Sequence, residues 1–154
     1  MKKTYFGKII LVGIFLFGQV AWATDQIIQI DDPWVREAPP NVKSLAAYMT
    51  IENISEQPQI LTSVSSSKFV NVMIHKTITH ESGMTEMVHK SQLVIEPQSK
   101  VVLAPGGYHL MLMMPKNPIV AGDSVDFTLQ FSDGKKIAIK VPVRKFQADN
   151  RYLK

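Results

Sequence analysis

Four side chains in the middle of this 154-residue chain have the chemistry to share one metal ion: His75, Met87, His109 and Met111. Eleven residues separate the first two, twenty-one the next pair and one the last pair. Imidazole and thioether are neutral ligands of soft to borderline character. Together, without a thiolate, they suit Cu(I) better than Zn²⁺, Ca²⁺ or Mg²⁺. The chain has no cysteine, which removes cysteine nucleophiles, thiol-redox pairs, thiolate zinc sites and blue-copper centres. Other catalytic chemistry finds little support. Ser65-Ser66-Ser67 lacks a glycine elbow, Pro105-Gly106-Gly107 is a turn rather than a phosphate cradle, and the acidic residues are scattered. These observations point away from an enzyme.

The elements that must hold the four residues read as short strands. Val70 to His75 alternates, with Val70, Val72 and Ile74 on one face and Asn71, Met73 and His75 on the other. Tyr108 to Met113 alternates likewise, with Tyr108, Leu110 and Leu112 opposed to His109, Met111 and Met113. In each strand the aliphatic face serves the core, so His75, His109 and Met111 are expected to face outward. His109 and Met111 then stand roughly 7 Å apart along one strand. Met84 to His89 is a further short strand that puts Met87 and His89 on a shared face. The residues alone do not bring His75 and Met87 to the other two, and incidental surface His and Met remain an open reading at this point.

Further strands are expected at Ile27–Ile30, Trp34–Arg36, Ala46–Glu52, Ile60–Val64, Leu93–Ile95, Val101–Leu103, Ser124–Phe131 and Lys136–Val143. Asp31-Asp32-Pro33 and Asp133-Gly134 read as turns between them. A run of short strands without a credible helix predicts an all-β antiparallel sandwich. Ahead of this domain, Lys2, Lys3 and Lys8 precede the apolar run Ile9–Val20 and the small-x-small site Ala21-Trp22-Ala23. That layout is a Sec-type signal peptide over residues 1–23. It predicts export to the periplasm and no membrane span after cleavage. Loss of three lysines lowers the net charge from +4 to +1, and no dense basic patch argues for nucleic acid. Residues 24–143 form the expected domain, and residues 144–154 a polar tail.

The pattern His75, Met87, His109-Leu110-Met111 resembles the signature of the periplasmic copper chaperones of the PCu(A)C family, spacing included. Asp32-Pro33-Trp34-Val35-Arg36, Tyr48 to Asn53, Val101 to Met113 (VVLAPGGYHLMLM), Gly122-Asp123 and Asp133-Gly134 are similar to the family's other recognisable stretches. The resemblance implies a Greek-key sandwich of cupredoxin-like or immunoglobulin-like kind. It also implies Cu(I) as the bound ion and His75, Met87, His109 and Met111 as its ligands. The implied role is a monomeric metallochaperone. Its acceptor would be the dinuclear copper site of cytochrome c oxidase or a thioredoxin-like assembly factor. A copper-storage or resistance protein, an electron carrier and a metal-free structural sandwich are the competing readings; the missing cysteine argues against the electron carrier. The family often has a methionine directly after the first histidine. Lys76 stands there instead and is expected to bring a cation near the site.

Nearby residues complete the expectation. His89 and Met113 are candidate accessory ligands. His80 and Met84 are read as loop residues, and Met73 as part of a soft rim with Met113 and Met114. Trp34 is read as a core or loop anchor, Arg36 as structural and Tyr108 as a core residue.

Overall fold

The computed structural model describes residues 27–39 and 41–145. The expected signal peptide and residues 146–154 of the expected tail lie outside the described residues. The described chain is all-β, with ten strands: β1 Ile28–Arg36, β2 Ser44–Asn53, β3 Gln59–Ser65, β4 Phe69–Thr79, β5 Thr85–Lys90, β6 Leu93–Ile95, β7 Ser99–Leu103, β8 Tyr108–Pro115, β9 Ser124–Phe131 and β10 Lys136–Arg144. No helix among the described residues is long and apolar enough to cross a membrane.

The strands form one continuous sheet in the order β5-β4-β8-β7-β2-β1-β10-β9-β3-β6, with β2 also pairing β8. The expectation of a purely antiparallel sheet is corrected at two places. β1 runs parallel to β10 at Val35↔Val143 and Arg36↔Arg144, and β7 runs parallel to β8 at Leu103↔Tyr108. The two halves of the sheet close on a shared core. It contains Val35, Met49, Ile51, Ile74, Leu110 and Leu112 from one half and Leu61, Ile95, Val125, Phe127, Leu129 and Phe131 from the other. Each of the large side chains withdrawn from water here contributes about 1.5–3 kcal/mol.

Strand alternation explains most of this arrangement, and its failures are local. Asp31-Asp32-Pro33 is not a turn between two strands but a bulge inside β1. The pairing with β2 shifts between Asp31 and Trp34, and Asp32 takes a positive φ of 41°. The Asp32 Oδ1 accepts a 2.8 Å hydrogen bond from Arg144 Nη1, so β10 continues one residue into the segment read as tail. The Val70 face is also reversed. Phe69 is buried and Val70 is 61% exposed, so the expected aliphatic face begins only at Val72 and Ile74. On the facing strand Met114 adopts a φ of 50°, which interrupts the alternation at that end of the β4–β8 pair.

One polar residue sits fully inside. Asn53 ends β2 with no exposed surface. Its amide nitrogen donates to the carbonyls of Gln57, Ile95 and Glu96, and its Oδ1 accepts from the Ser55 backbone N–H and hydroxyl. It thereby ties β2 to β6 and to the 54–58 turn. Asn53→Ala removes the partner of several buried groups at once and should lower unfolding stability by about 2–4 kcal/mol. Urea denaturation followed by tryptophan fluorescence measures this; a loss below about 0.5 kcal/mol contradicts the account.

Candidate metal centre

The site is made by the registers of three neighbouring strands. β4 and β8 run antiparallel, with His75 opposite His109 and Met73 opposite Met111. On the other side of β4, β5 sets His89 opposite His75 and Met87 opposite Thr77. Facing residues in a sheet share a side, as do residues two apart on one strand. Met73, His75, Met87, His89, His109 and Met111 therefore stand on one face, opposite to the Ile74–Leu110 face that packs into the core. The His75 ring lies between two others. Its centroid is 5.9 Å from that of His109 and 5.6 Å from that of His89, both edge to face.

Three of the four sequence candidates are thus brought together: His75, His109 and Met111. Met87 shares the face but stands one pair further along, 62% exposed. Two residues join the cluster that spacing alone did not select as principal ligands. Met73 lies directly across from Met111, and His89 directly across from His75. The signal for Met73 was its place two residues before His75. Met113 is on the same face beyond Met111, opposite Asn71 and Ser44, on the side away from the histidines. His80 sits at the tip of the β4–β5 hairpin, its Nε2 3.3 Å from Glu86 Oε2, and Met84 is exposed there.

His109 is buried, at 7% exposure, which corrects the expectation of an open outward position. The aromatic neighbours across the sheet on that face contribute to this. β2 pairs with β8 through Ala47↔Leu110, so the next residue, Tyr48, flanks His109. Trp34 lies opposite Tyr48, with ring centroids 4.8 Å apart. Both aromatics are buried yet lie outside the main core cluster, so Trp34 anchors the site face rather than the interior. Burial raises the Tyr48 hydroxyl above its ordinary pKa, while the charge and hydrogen bond of Arg36 act in the opposite direction. Arg36 is therefore structural, as expected, with a phenol as partner.

The sequence Ala104-Pro105-Gly106-Gly107 orients the buried imidazole. Gly106 takes a φ of 80°, a conformation glycine adopts without strain. The Gly107 carbonyl then accepts from the Thr77 backbone N–H at 3.0 Å and lies 3.1 Å from His109 Nδ1. A carbonyl can only accept, so Nδ1 carries a proton, and in the neutral ring Nε2 is then the nitrogen with the lone pair. Metal-binding imidazoles are commonly held by this kind of outer hydrogen bond. Lys76, expected near the site, points elsewhere. It pairs with Tyr108 on the core-side face, and its Nζ lies 5.0 Å from the Tyr108 ring centroid.

His75 has no such anchor. Both of its ring nitrogens are shut off from solvent without a hydrogen-bond partner, a condition that costs about 1–3 kcal/mol for each unsatisfied group. Burial, then the neighbouring His109 and His89, lower its pKa below the ordinary histidine value. The ring is thus kept neutral, with a lone pair available. Among the described residues no group of three or more His, Cys, Asp or Glu side chains is placed to hold a metal ion. An ion at this face would therefore draw on the thioethers as well. A separate groove, lined by Glu37, Val42, Leu45, Met114, Ile119 and Val120, contains none of the histidines.

The depressed His75 pKa has a definite sign. In the metal-free protein the unfolded state takes up a proton near pH 6.5 before the folded state does, so folding stability falls as pH is lowered through that value. An NMR titration should place the His75 midpoint below about 6.5. His75→Gln should flatten the decline of stability between neutral pH and about pH 5. A His75 midpoint above the ordinary histidine value contradicts the burial argument.

The geometry agrees with what the chain resembles elsewhere. Residues 28–143 match the family described as "Putative lipoprotein LpqE-like". The chain is 34% identical over 127 residues to "Putative lipoprotein Lxx21020" of Leifsonia xyli subsp. xyli, covering 82% of this chain and 75% of that protein. Among solved structures, it superposes on the solution structure of CuI-DR1885 from Deinococcus radiodurans with a TM-score of 0.64 and 31% identity, over 84% of this chain and 87% of that one. It superposes on the copper-bound PCuAC domain from PmoF2 with a TM-score of 0.65 and 25% identity, over 78% and 94% of the two chains. The family match spans most of the chain, and the resemblance noted in the His-Met spacing is matched by the fold: the chain belongs to the LpqE-like family and has the β-fold of PCuAC domains.

Proposed function

We propose that this protein is an exported copper chaperone that carries Cu(I) on His75, Met87, His109 and Met111. The observation that carries the reading is the state of the two imidazoles. His75 has two solvent-excluded nitrogens without a hydrogen-bond partner in the protein. His109, beside it, is hydrogen-bonded to Gly107 so that Nε2 is free. Met111 stands two residues from His109 on the same face. The two solved relatives that bear copper in their names support the same ion. Met87, exposed on β5, is the thioether able to close over the ion from the open side. His89 and Met113 are accessory positions on this reading.

Two imidazoles and two thioethers form a neutral set, and softness at sulfur favours Cu(I). Such a set leaves the charge of the ion uncompensated. An acceptor with thiolates gains by replacing these ligands one after another, which suits delivery better than storage. The acceptor we favour is the dinuclear copper site of cytochrome c oxidase or a thioredoxin-like assembly factor, with the chaperone acting as a monomer in the periplasm. The sequence over residues 1–23 supports export, as does the lipoprotein description of a relative.

Anaerobic titration with Cu(I) against a chromophoric chelator tests the site. Wild type should bind one ion. Ala substitution at His75, His109 or Met111 should weaken binding by about tenfold or more, and Met87→Ala should weaken it less because that side chain is exposed. Binding by His109→Ala as tight as by wild type overturns the proposed site. Quantitative transfer to a dithiol acceptor peptide is expected of a chaperone; retention against that peptide would favour storage.

A further inference from the structure

We propose that His89 is a copper ligand in its own right, forming with His75 and Met87 an outer station through which the ion reaches and leaves the inner set, in which His109 and Met111 join His75 and Met87. The proposal rests on the copper reading above and extends it to the path the ion takes. Its basis is the position of His75 between two imidazoles at nearly equal distance, 5.6 Å to His89 and 5.9 Å to His109. Two imidazoles that share an ion at metal–nitrogen distances of about 2.0–2.1 Å have ring centroids about 5–6 Å apart. Both pairs meet that spacing, while no three of these groups surround a single point as they stand. The geometry is therefore that of two adjoining sites with one imidazole in common.

His75 is suited to be the shared ligand because neither nitrogen is tied by a hydrogen bond, whereas His109 is fixed to the Gly107 carbonyl. The ring of His75 can present a lone pair toward β5 or toward β8. Each station also has its thioether. Met87 is two residues from His89 on β5, and Met111 is two residues from His109 on β8, each roughly 7 Å away along its strand. Exposure falls in one direction across the face. Met87 and His89 on the edge strand are open, His75 is half-buried, and His109 is 7% exposed. An ion arriving from solvent meets the β5 pair first. Passage inward exchanges His89 for His109 and Met111 while His75 and Met87 stay bound, so the ion is never held by fewer than two protein ligands.

A shared outer station speeds loading and release alike. In stopped-flow transfer of Cu(I) to and from bathocuproine disulfonate, His89→Gln should slow both directions together by about tenfold. In His109→Gln, where the inner set is broken, added Cu(I) should still shift the NMR signals of the His89 ring and the Met87 methyl. Transfer rates in His89→Gln equal to those of wild type overturn the proposal, as does faster release with loss of affinity, which would make His89 an ordinary member of the inner set. Absence of the His89 and Met87 shifts in His109→Gln overturns it too. If His109→Gln binds Cu(I) as tightly as wild type, it is the copper site itself that is wrong; if that variant weakens binding and His89→Gln leaves the rates intact, only the outer station is.

Discussion

Everything proposed for this protein depends on the register between β4 and β8. A slip of one residue in that pairing would carry His75 and His109 to opposite sides of the sheet, because side chains alternate with a period of two. The core prevents the slip. Val72 lies opposite Leu112 and Ile74 opposite Leu110, and Ile74, Leu110 and Leu112 are buried with the main apolar cluster. Shifting the strands would expose these aliphatic groups and bury imidazoles in their place. The apolar face thus specifies the position of the polar one, although the two never touch. The Gly107 carbonyl adds a second constraint, since it receives both the Thr77 backbone N–H of β4 and the His109 ring of β8.

The outer face is not simply a solvent face. Trp34 and Tyr48 are as buried as many core residues, but they stand on the face of His109, Tyr48 beside it and Trp34 across from Tyr48, rather than in the interior. Tyr48 removes water from one flank of the imidazole, while on the other side exposure rises through half-buried His75 to the open residues of β5. A buried donor atom has few competitors, so a ligand that reaches it is held by the protein's own groups. On the open flank, by contrast, water competes freely. The difference between a closed and an open side is a consequence of sheet order: β8 has neighbours on both sides, whereas β5 is an edge strand.

Much of this was legible in the sequence, and most of what was missed at the site has one cause. Period-two alternation correctly placed His75 with Met73 and His109 with Met111, and turn chemistry correctly placed the Asp133-Gly134 hairpin, where Gly134 has a φ of 86°. Alternation reports which residues share a side within a strand. It does not report which strand lies alongside: the grouping of His75 with His109 came only from the family resemblance, and the place of His89 across from His75 was not readable. The same limit hid the cover over His109, because Trp34 and Tyr48 come from strands far away in sequence. Asp31-Asp32-Pro33 misled for a different reason. A proline and two aspartates are good turn formers, but a bulge can accommodate them inside a strand when neighbours on both sides hold it, as β2 and β10 hold β1. Val70 misled because alternation was assumed to run to the strand end, where the positive φ of Met114 on the facing strand breaks it.

The strain visible at His75 links fold to function. A half-buried imidazole with two unpartnered nitrogens is a poor choice for stability alone; an aliphatic residue of similar size would avoid the desolvation penalty. The fold tolerates it because the β4–β8 pairing is specified by the other face of the same strands and does not need the histidine. An ion that binds only the folded form returns stability in proportion to its affinity and concentration. The site is therefore expected to weaken the empty protein and strengthen the loaded one. On the proposed function, that places the cost on the empty state that would capture copper and the gain on the loaded state. On the same proposal the ion must also be given up, and here the edge position of β5 matters: the proposed ligands that are exposed can exchange without disturbing the pairing that keeps His75 and His109 together.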